Sequence, residues 1–384
     1  MSVFAQLGYI NRGPSVNHRD RFLSAVKLKE PDRVPYFDYF DEVSILNTAR
    51  ALFGDEMPEI ESMKTAVDHR LDDATYKYHD LQFEIIRKLD IDAITAWALK
   101  SYERIPDKKD LVKDNYGIIW RLADHGEPIP VEGPVKDESD LKKIAAVEPD
   151  HRDFKLLSYF KEKVPERVIV FGLTDPFRLC WSLLGALEKW LPLYLTDPDF
   201  CLKLTRIATD FVKQEFQLAM ELGAEVFILE ADLAFTAGPF MSRDHYRRFV
   251  QPFHQEICEL AHQQDVPMIK HSDGNIWPII DDLMEAGFDG FHPIEPQCME
   301  IAEVKQHLAG KGCIFGNIDC MHLLPFGTKE EVTASVKETI PKAAPGGGYI
   351  LCSSNSIHPG CKGENVVAMF EAAKEYGAYP IKAS

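Results

Sequence analysis

The stretch VPMIKHSDGN, residues 266–275, decides the fold class because an apolar run ends abruptly in charged and polar groups around a glycine. Such groups cost free energy to dehydrate unless they are hydrogen-bonded, paired or used in chemistry. Residues 266–271 therefore predict a buried strand. The residues after it predict either an ordinary exit from strand to loop or the lining of a reaction site.

Seven further short apolar runs, each bounded by turn residues, indicate strands of the same kind. Their continuous rather than alternating apolarity is typical of parallel strands that are covered on both faces. Helix-like segments separate them, including 197–223, 242–264 and 328–340. The eight runs are VPYFD (34–38), IDAITAWAL (91–99), VIVFGL (168–173), EVFILE (225–230), VPMIKH (266–271), FDGFHP (288–293), CIFGNI (313–318) and YILCSS (349–354).

Alternation of strands and helices through these eight runs predicts an α/β fold of the (β/α)8 TIM-barrel type. The alternative is an open doubly wound sheet, which is disfavoured because no glycine-rich phosphate-binding fingerprint follows any run. The gap 100–167 predicts a small hairpin insertion between strands 2 and 3. We expect residues 1–17 to form an N-terminal arm and the chain 1–384 to be a single domain.

The composition excludes several classes of partner. The 384 residues include 43 Lys and Arg against 61 Asp and Glu, a formal net charge of −18. So acidic a surface argues against nucleic acid or an anionic membrane as the main partner. We find no signal peptide and no long apolar stretch, and the eight scattered cysteines form no CxxC pair. We therefore expect a cytoplasmic protein with reduced thiols.

Polar side chains stand at the carboxyl end of nearly every run, where a barrel brings them to one rim. Each one alone is equally well explained as an ordinary loop residue. Taken together they form a candidate site. We predict a catalytic cluster of Glu230, His271 and Asp273, and substrate-binding roles for Asp38, Trp97, Asp232, His292, Glu295 and Asn355.

The catalytic cluster also has the composition of a metal site. His271, Asp273 and Glu230 offer one nitrogen and two oxygen ligands, which suits zinc with an open coordination position. The alternative is that Asp273 accepts hydrogen bonds from the loop amides around Gly274, while His271 packs or binds substrate. The sequence leaves both interpretations open.

Several longer segments resemble the uroporphyrinogen decarboxylase superfamily, and together they cover most of the chain from residue 18 onward. They read HRDRFLSAVKLKEPDRVPYFDY, ADLAFTAGPFMSRDHYRRFVQPFHQEI, HSDGNIWPIIDDLMEAGFDGFHPIEP, GNIDCMHLLPFGTKEEV and SIHPGCKGENVVAMFEAAKEYGAYP. The resemblance implies a (β/α)8 barrel. It allows two chemistries, decarboxylation of a porphyrinogen or methyl transfer involving a corrinoid protein.

Departures from the decarboxylase pattern favour methyl transfer. The decarboxylases carry an arginine-rich RQAGRY stretch that holds substrate carboxylates, whereas residues 36–46 here read YFDYFDEVSIL. Ala98 and Asn355 stand where the decarboxylases have an aspartate and a histidine. The coenzyme M methyltransferases of the superfamily bind zinc through His-x-Cys and a later Cys, and here Asp273 and Asn355 replace the two thiols.

These features together predict a methyltransferase that demethylates a small methylated compound, best matched by a methoxylated aromatic, onto a corrinoid protein. The implied cofactors are the corrinoid on that partner protein and zinc. Homodimers are common in the superfamily, and the sequence does not define an interface. The alternatives are a uroporphyrinogen-decarboxylase-like lyase acting on a smaller carboxylate, and a non-catalytic binding barrel.

Overall fold

The computed structural model describes residues 16–57, 73–99, 102–122 and 128–382. Most of the expected N-terminal arm therefore lies outside the described residues. The strands are β1 (Ala93–Trp97), β2 (Tyr102–Arg104), β3 (Leu111–Asp114), β4 (Ile119–Arg121), β5 (Ile129–Glu132), β6 (Val168–Thr174), β7 (Val226–Glu230), β8 (Ala234–Phe235), β9 (Gly238–Pro239), β10 (Met268–His271), β11 (Gly290–His292), β12 (Cys313–Ile318) and β13 (Tyr349–Ser353).

Helices follow or separate the strands along the described chain. None of the described helices combines the length and the apolar character needed to cross a membrane. The helices are α1 (His18–Val26), α2 (Glu42–Phe53), α3 (Asp73–Leu89), α4 (Leu141–Ile144), α5 (Lys155–Lys163), α6 (Pro176–Leu184), α7 (Leu187–Trp190), α8 (Leu193–Thr196), α9 (Pro198–Glu221), α10 (Arg243–Phe249), α11 (Gln251–His262), α12 (Ile280–Glu285), α13 (Ile301–His307), α14 (Leu323–Phe326), α15 (Lys329–Ala343) and α16 (Gly363–Tyr376).

Seven strands form one parallel sheet within the described residues, in the order β1, β6, β7, β10, β11, β12 and β13. This is also their order along the chain, and every neighbouring pair is parallel. Each of the seven corresponds to one of the predicted runs. The result is an α/β fold of the TIM-barrel-like kind, in which helices cover the outside of a curled parallel sheet.

The first predicted run, 34–38, is an exception because it forms no regular strand. It makes an isolated parallel bridge between Tyr36 and Leu351 of β13. On its other side the Tyr36 carbonyl accepts the N–H of Asp92, just before β1. The ladder is short because Pro35 has no N–H and because the N–H of Tyr36 donates to the Asp92 carboxylate. The segment nevertheless connects both edge strands of the sheet.

The insertion between β1 and β6 is larger than the small hairpin that we predicted. Its described residues contain a four-stranded antiparallel sheet, ordered β2, β3, β4 and β5. The Asp114 carboxylate accepts the N–H groups of Tyr116 and Ile118 and the indole N–H of Trp120. Gly117, with a φ of +86°, completes this turn. Strands of three or four residues are too short to give a clear sequence period.

The predicted helix over 242–264 is divided into α10 and α11. Ser242 begins α10 as expected, because its hydroxyl accepts the N–H of His245. The division falls at Val250, since Pro252 in the first turn of α11 has no N–H to donate and restricts the residue before it. The segments 197–223 and 328–340 form the single helices α9 and α15, as predicted.

Two apolar clusters build the core. One lies inside the curled sheet, and α1 packs against it through Phe22, whose ring lies 6.0 Å from that of Phe37 and 6.1 Å from that of Phe315. The other lies between the sheet and the outer helices. Arg21 of α1 also donates to Asp92, just before β1. Because α1 occupies the amino ends of the strands, their carboxyl ends are left for a site.

Candidate active site

Parallel pairing places three of the predicted residues side by side at the carboxyl ends of β7, β10 and β11. The register pairs Glu230 with His271, and His271 with His292. Neighbouring strands lie about 4.8 Å apart, and paired residues point to the same face of the sheet. A carboxylate and two imidazoles therefore form a row at the end of the sheet that is opposite α1.

The two imidazoles contact each other directly. The Nδ1 atoms of His271 and His292 are 2.7 Å apart, so one of them carries the proton and donates it to the other. Burial, together with the charges of Lys270 and Arg178, lowers the pKa of His271 to about 3. Burial and the neighbouring His271 also lower the pKa of His292. Both rings are therefore neutral at neutral pH.

The free edge of His271 faces two carboxylates. Its Nε2 lies 3.7 Å from Oδ1 of Asp232 and 3.7 Å from Oδ1 of Asp273. One ligand atom from each of these three residues lies within 4.8 Å of the other two. The Asp273 N–H donates to Asp232 at 2.9 Å, and the Asn355 side-chain amide donates to Asp273 at 2.5 Å. Asp232, rather than the predicted Glu230, completes this cluster.

The backbone conformation and close packing of residue 274 explain why a glycine follows Asp273. Its φ is +83°, and an added Cβ would lie 2.7 Å from the carbonyl carbon and oxygen of Ala234. Its N–H donates to the Glu295 carboxylate at 2.5 Å. The loop after β10 thus packs directly on the chain after β7, which is the contact that brings Asp273 to Asp232. A side chain at this position would hold the two segments apart.

Asp38, another of the predicted residues, forms its hydrogen bonds outside the cluster. Its carboxylate accepts the N–H and the hydroxyl of Ser353, both at 2.7 Å. Burial raises the pKa of Asp38 to about 7. These contacts tie the segment 34–38 to β13 and favour a structural role for Asp38, since its polar atoms are engaged by the protein itself.

Two cysteines lie near the cluster but do not offer thiolates. Burial and the neighbouring Glu295 raise the pKa of Cys298 to about 11. Burial also raises the pKa of Cys320 to about 11. Both are thiols at neutral pH, and only the thiolate is a good zinc ligand. The donors suited to a metal here are therefore nitrogen and oxygen.

A cavity of about 460 Å³ lies beside the row, between the sheet, the inserted sheet and helices α6 and α9. Its volume is in the range of small-molecule sites. Glu230 lines it at the end of β7, and Trp97 lines it at the end of β1. The Trp97 indole packs over Gly172, where an added Cβ would lie 1.9 Å from the ring. Five aromatic side chains contribute to the lining: Trp97, Tyr102, Tyr116, Trp120 and Phe211.

Sequence reasoning missed most of this cavity. Tyr102 and Trp120 come from the inserted sheet, while Phe211 and Glu215 come from the middle of α9. The stretch DNYGIIW, residues 114–120, was the only local signal, because its two large rings stand out in a short polar segment. No local pattern shows that this segment folds back over the carboxyl ends of the strands.

A barrel-like parallel sheet that carries buried imidazoles and more exposed carboxylates at the carboxyl ends of its strands is typical of α/β-barrel enzymes. Comparison with known families specifies the class further. The family model described as uroporphyrinogen decarboxylase (URO-D) matches residues 113–376, which is more than half of the chain. The chain belongs to this family, and the resemblance seen in its sequence is confirmed.

Curated relatives include both methyltransferases and decarboxylases. A methylated-thiol–coenzyme M methyltransferase of Methanosarcina mazei is 27% identical over 205 residues, which are 53% of this chain and 52% of the relative. The match therefore spans about half the length of that relative. A uroporphyrinogen decarboxylase of Trichodesmium erythraeum is 24% identical over 277 residues, which are 67% of this chain and 73% of the relative.

A solved structure supports the fold over nearly the whole chain. A methyltransferase from Methanosarcina mazei superposes with a TM-score of 0.70 at 18% identity, covering 94% of this chain and 99% of that one. At this identity the similarity establishes the architecture. The chemistry has to be argued from the side chains at the carboxyl ends of the strands.

Proposed function

We propose that the protein is a methyltransferase that demethylates a small methylated compound, a methoxylated aromatic, and transfers the methyl group to a corrinoid protein. The observation that carries the proposal is a neutral His271 facing two carboxylates beside an aromatic-lined cavity. The methyltransferases among the relatives support the reaction class. We also infer that the fold is a complete (β/α)8 barrel, with the segment 34–38 as its first unit.

The scarcity of basic side chains in the cavity supports methyl transfer over decarboxylation of a porphyrinogen. Arg178 is the one basic side chain among the described residues that line it. A porphyrinogen carries several carboxylates, each of which needs a cationic or hydrogen-bonding partner when it leaves water. The segment after the first predicted run offers no arginine, and Asp38 within that run binds Ser353.

Methyl transfer from an ether needs help at the leaving oxygen. The C–O bond breaks, the methyl group bonds to the corrinoid cobalt through the electron pair of the reduced metal, and the oxygen keeps the bonding pair. That oxygen must take a proton or contact a Lewis acid, since an alkoxide or phenoxide is a basic leaving group. The product is a phenol and a methylated corrinoid protein.

The histidine pair can provide such help. If Nδ1 of His271 donates to Nδ1 of His292, Nε2 of His271 keeps a lone pair toward the carboxylates. His292 then carries its proton on Nε2, an atom that is buried and has no hydrogen-bond partner among the described residues. We assign this N–H to hydrogen bonding with the substrate oxygen. Tyr39, whose ring centroid is 4.7 Å from that of His292, packs beside it.

The same cluster fits zinc. His271, Asp232 and Asp273 offer one nitrogen and two oxygens close together, and three protein ligands leave an open position as in catalytic zinc sites. Zinc bound there would supply a Lewis acid for the leaving oxygen. Since the pKa of His271 is low, protons do not compete for its nitrogen at neutral pH. Glu230, the third ligand predicted from sequence, faces the cavity beside this set.

We expect Gly274→Ala to weaken zinc binding by about ten- to a hundredfold, the range seen when the support of a metal ligand is lost. The added methyl group would collide with the Ala234 backbone and move Asp273 away from Asp232. Zinc content after dialysis, and competition with a chelator, measure the effect. The wild-type chain should hold about one zinc. Equal zinc affinity in both proteins would contradict the proposed ligand set.

The function itself is tested with a panel of methyl ethers. The protein is mixed with a corrinoid protein, a reductant and one ether at a time, and the cobalt absorption spectrum is followed. We expect at least one methoxylated aromatic to shift the spectrum to that of the methylated form. If no ether does so while carbon dioxide is released from a small carboxylate, the lyase alternative is correct.

A further inference from the structure

Tyr39 lies between the histidine pair and the inner end of the cavity. Its ring centroid is 4.7 Å from that of His292 and 6.1 Å from that of His271. On another side the ring lies 5.7 Å from that of Trp97, which lines the cavity at the end of β1. A ligand whose ring fills the cavity therefore has its inner end next to Tyr39.

The position of the Tyr39 ring is fixed by the protein before any ligand binds. The Tyr39 N–H donates to the Asp38 carboxylate at 3.0 Å, and its carbonyl accepts the N–H of Ile357 at 2.7 Å. The Phe37 ring packs edge-on against it, with centroids 5.3 Å apart. A donor that is already in place costs no reorganisation when charge develops on a substrate.

The Tyr39 hydroxyl lies close to the Glu230 carboxylate. Burial, followed by the charge of Glu230 and its interaction with the hydroxyl, raises the pKa of Tyr39. The hydroxyl therefore keeps its proton at neutral pH and acts as a donor. Because Glu230 also lines the cavity, the hydroxyl lies at the inner end of that cavity.

Two buried donors on adjacent rings have hydrogen-bonding capacity that the protein does not fully use. Among the described residues, neither the Tyr39 oxygen nor Nε2 of His292 completes a hydrogen bond of standard geometry. A buried polar atom in this state costs stability, unlike one that is paired. An oxygen atom of a ligand placed between the two rings would accept from both of them.

We propose that Tyr39 is a catalytic residue, whose hydroxyl donates a hydrogen bond to the leaving oxygen of the methyl ether together with Nε2–H of His292. As the C–O bond breaks, the oxygen keeps the bonding pair and becomes negative, so both hydrogen bonds strengthen in the transition state. Tyr39 keeps its proton, and the phenoxide takes one from water on release. The inference rests on the proposed function and adds a residue to its mechanism.

The test compares Tyr39→Phe with Tyr36→Phe, two changes that each delete only a hydroxyl. The Tyr36 hydroxyl is also buried without completing a hydrogen bond, but its ring packs against Phe370 on the outer side of the sheet. We expect Tyr39→Phe to lower the rate of demethylation on the order of a hundredfold, as when one donor to a developing oxyanion is lost. Tyr36→Phe should keep the wild-type rate.

The leaving group and the stability distinguish catalysis from a structural role. The loss of rate in Tyr39→Phe should be larger for para-methylanisole than for para-nitroanisole, because the first releases the more basic phenoxide. The free energy of unfolding in urea should not fall, because the deleted hydroxyl completes no hydrogen bond in the folded protein.

A binding measurement needs no corrinoid protein. The visible absorption of para-nitrophenolate reports its binding, and we expect Tyr39→Phe to bind this anion about tenfold more weakly than the wild type, as for one lost hydrogen bond to a charged group. Both proteins should bind the uncharged para-nitroanisole equally. Tyr36→Phe should match the wild type for both ligands.

Three results would overturn the inference. They are an unchanged rate in Tyr39→Phe, an equal loss in both tyrosine variants, and a loss that is the same for every leaving group and comes with lower stability. Methyl transfer that Tyr39→Phe leaves intact would retain the proposed function and reject the role of Tyr39. If the wild type demethylates no ether but binds the phenolate more tightly than Tyr39→Phe does, the reaction is rejected and the hydroxyl is retained as a ligand donor.

Discussion

Replacing His271 by alanine is expected to lower the rate of methyl transfer on the order of a thousandfold, as when a group that stabilises charge in the transition state is removed. The substitution deletes the only nitrogen among the three clustered ligand atoms. It also removes the hydrogen-bond partner of His292 Nδ1. Because both effects act on the leaving oxygen, kcat should fall more than the affinity for the ether.

A histidine outside the cluster provides the matched control for His271→Ala. His307→Ala removes an exposed imidazole on α13 that hydrogen-bonds to Asp281 and packs against Trp277, and it should keep the wild-type rate. Circular dichroism of both variants checks that the fold is retained. A His271→Ala protein that turns over at more than about a tenth of the wild-type rate would show that the cluster does not activate the leaving group.

The second large expected effect is on folding stability and concerns Lys270, which is next to His271 but on the opposite face of β10. Its ammonium donates to Asp175 at 2.8 Å and to the carbonyls of Leu229 and Ala231 at 3.2 and 3.0 Å. These two carbonyls flank Glu230. Lys270 and Asp175 are both fully buried, so the charge pair is shielded from water. This contact holds the ends of β7 and β10 together beneath the candidate site.

Lys270→Met should lower the free energy of unfolding by about 3–5 kcal/mol, because it leaves Asp175 as a buried charge with fewer partners. Urea denaturation measures this. Lys311→Met, at an exposed position, should cost less than about 0.5 kcal/mol. Adding Asp175→Asn to Lys270→Met should recover part of the loss, since the uncompensated charge is removed. If Lys270→Met is as stable as the wild type, the buried pair does not stabilise the fold.

The buried pair of Lys270 and Asp175 also predicts how the stability of the fold depends on pH. Burial alone would raise the pKa of Asp175, but His254 and Lys270 hold it below its usual value. A carboxylate with a lowered pKa stabilises the fold above its unfolded pKa of about 4, and this stability is lost as the pH falls further. The wild type should therefore lose more stability below about pH 4 than Asp175→Asn does, in matched urea titrations.

The regular part of the fold was accessible from sequence because continuous apolar runs bounded by turn residues identify buried parallel strands. Active-site residues of such barrels lie at the carboxyl ends of the strands. This rule also selected Glu230, His271 and His292, which the strand register aligns. The segment 34–38 was harder, because its pairing depends on Asp92 and Pro35 rather than on its own apolarity.

Long-range contacts account for what the sequence did not reveal. Asp232 joins His271 and Asp273 because the chain after β7 turns back onto the loop at Gly274, a contact between segments about forty residues apart. The cavity depends on an inserted sheet whose strands are too short to recognise and on a face of α9 that looks like ordinary core. In each case the deciding contact is tertiary, and local periodicity carries no information about it.

The central claim is tested most directly by following the methyl group itself. An aromatic ether labelled with carbon-13 in its methoxy methyl group is incubated with the protein and a reduced corrinoid protein, and the carbon spectrum is recorded by nuclear magnetic resonance. We expect the label to appear on the corrinoid cobalt with formation of an equal amount of the phenol. Label that stays in the ether throughout the panel, with or without zinc, would contradict the account.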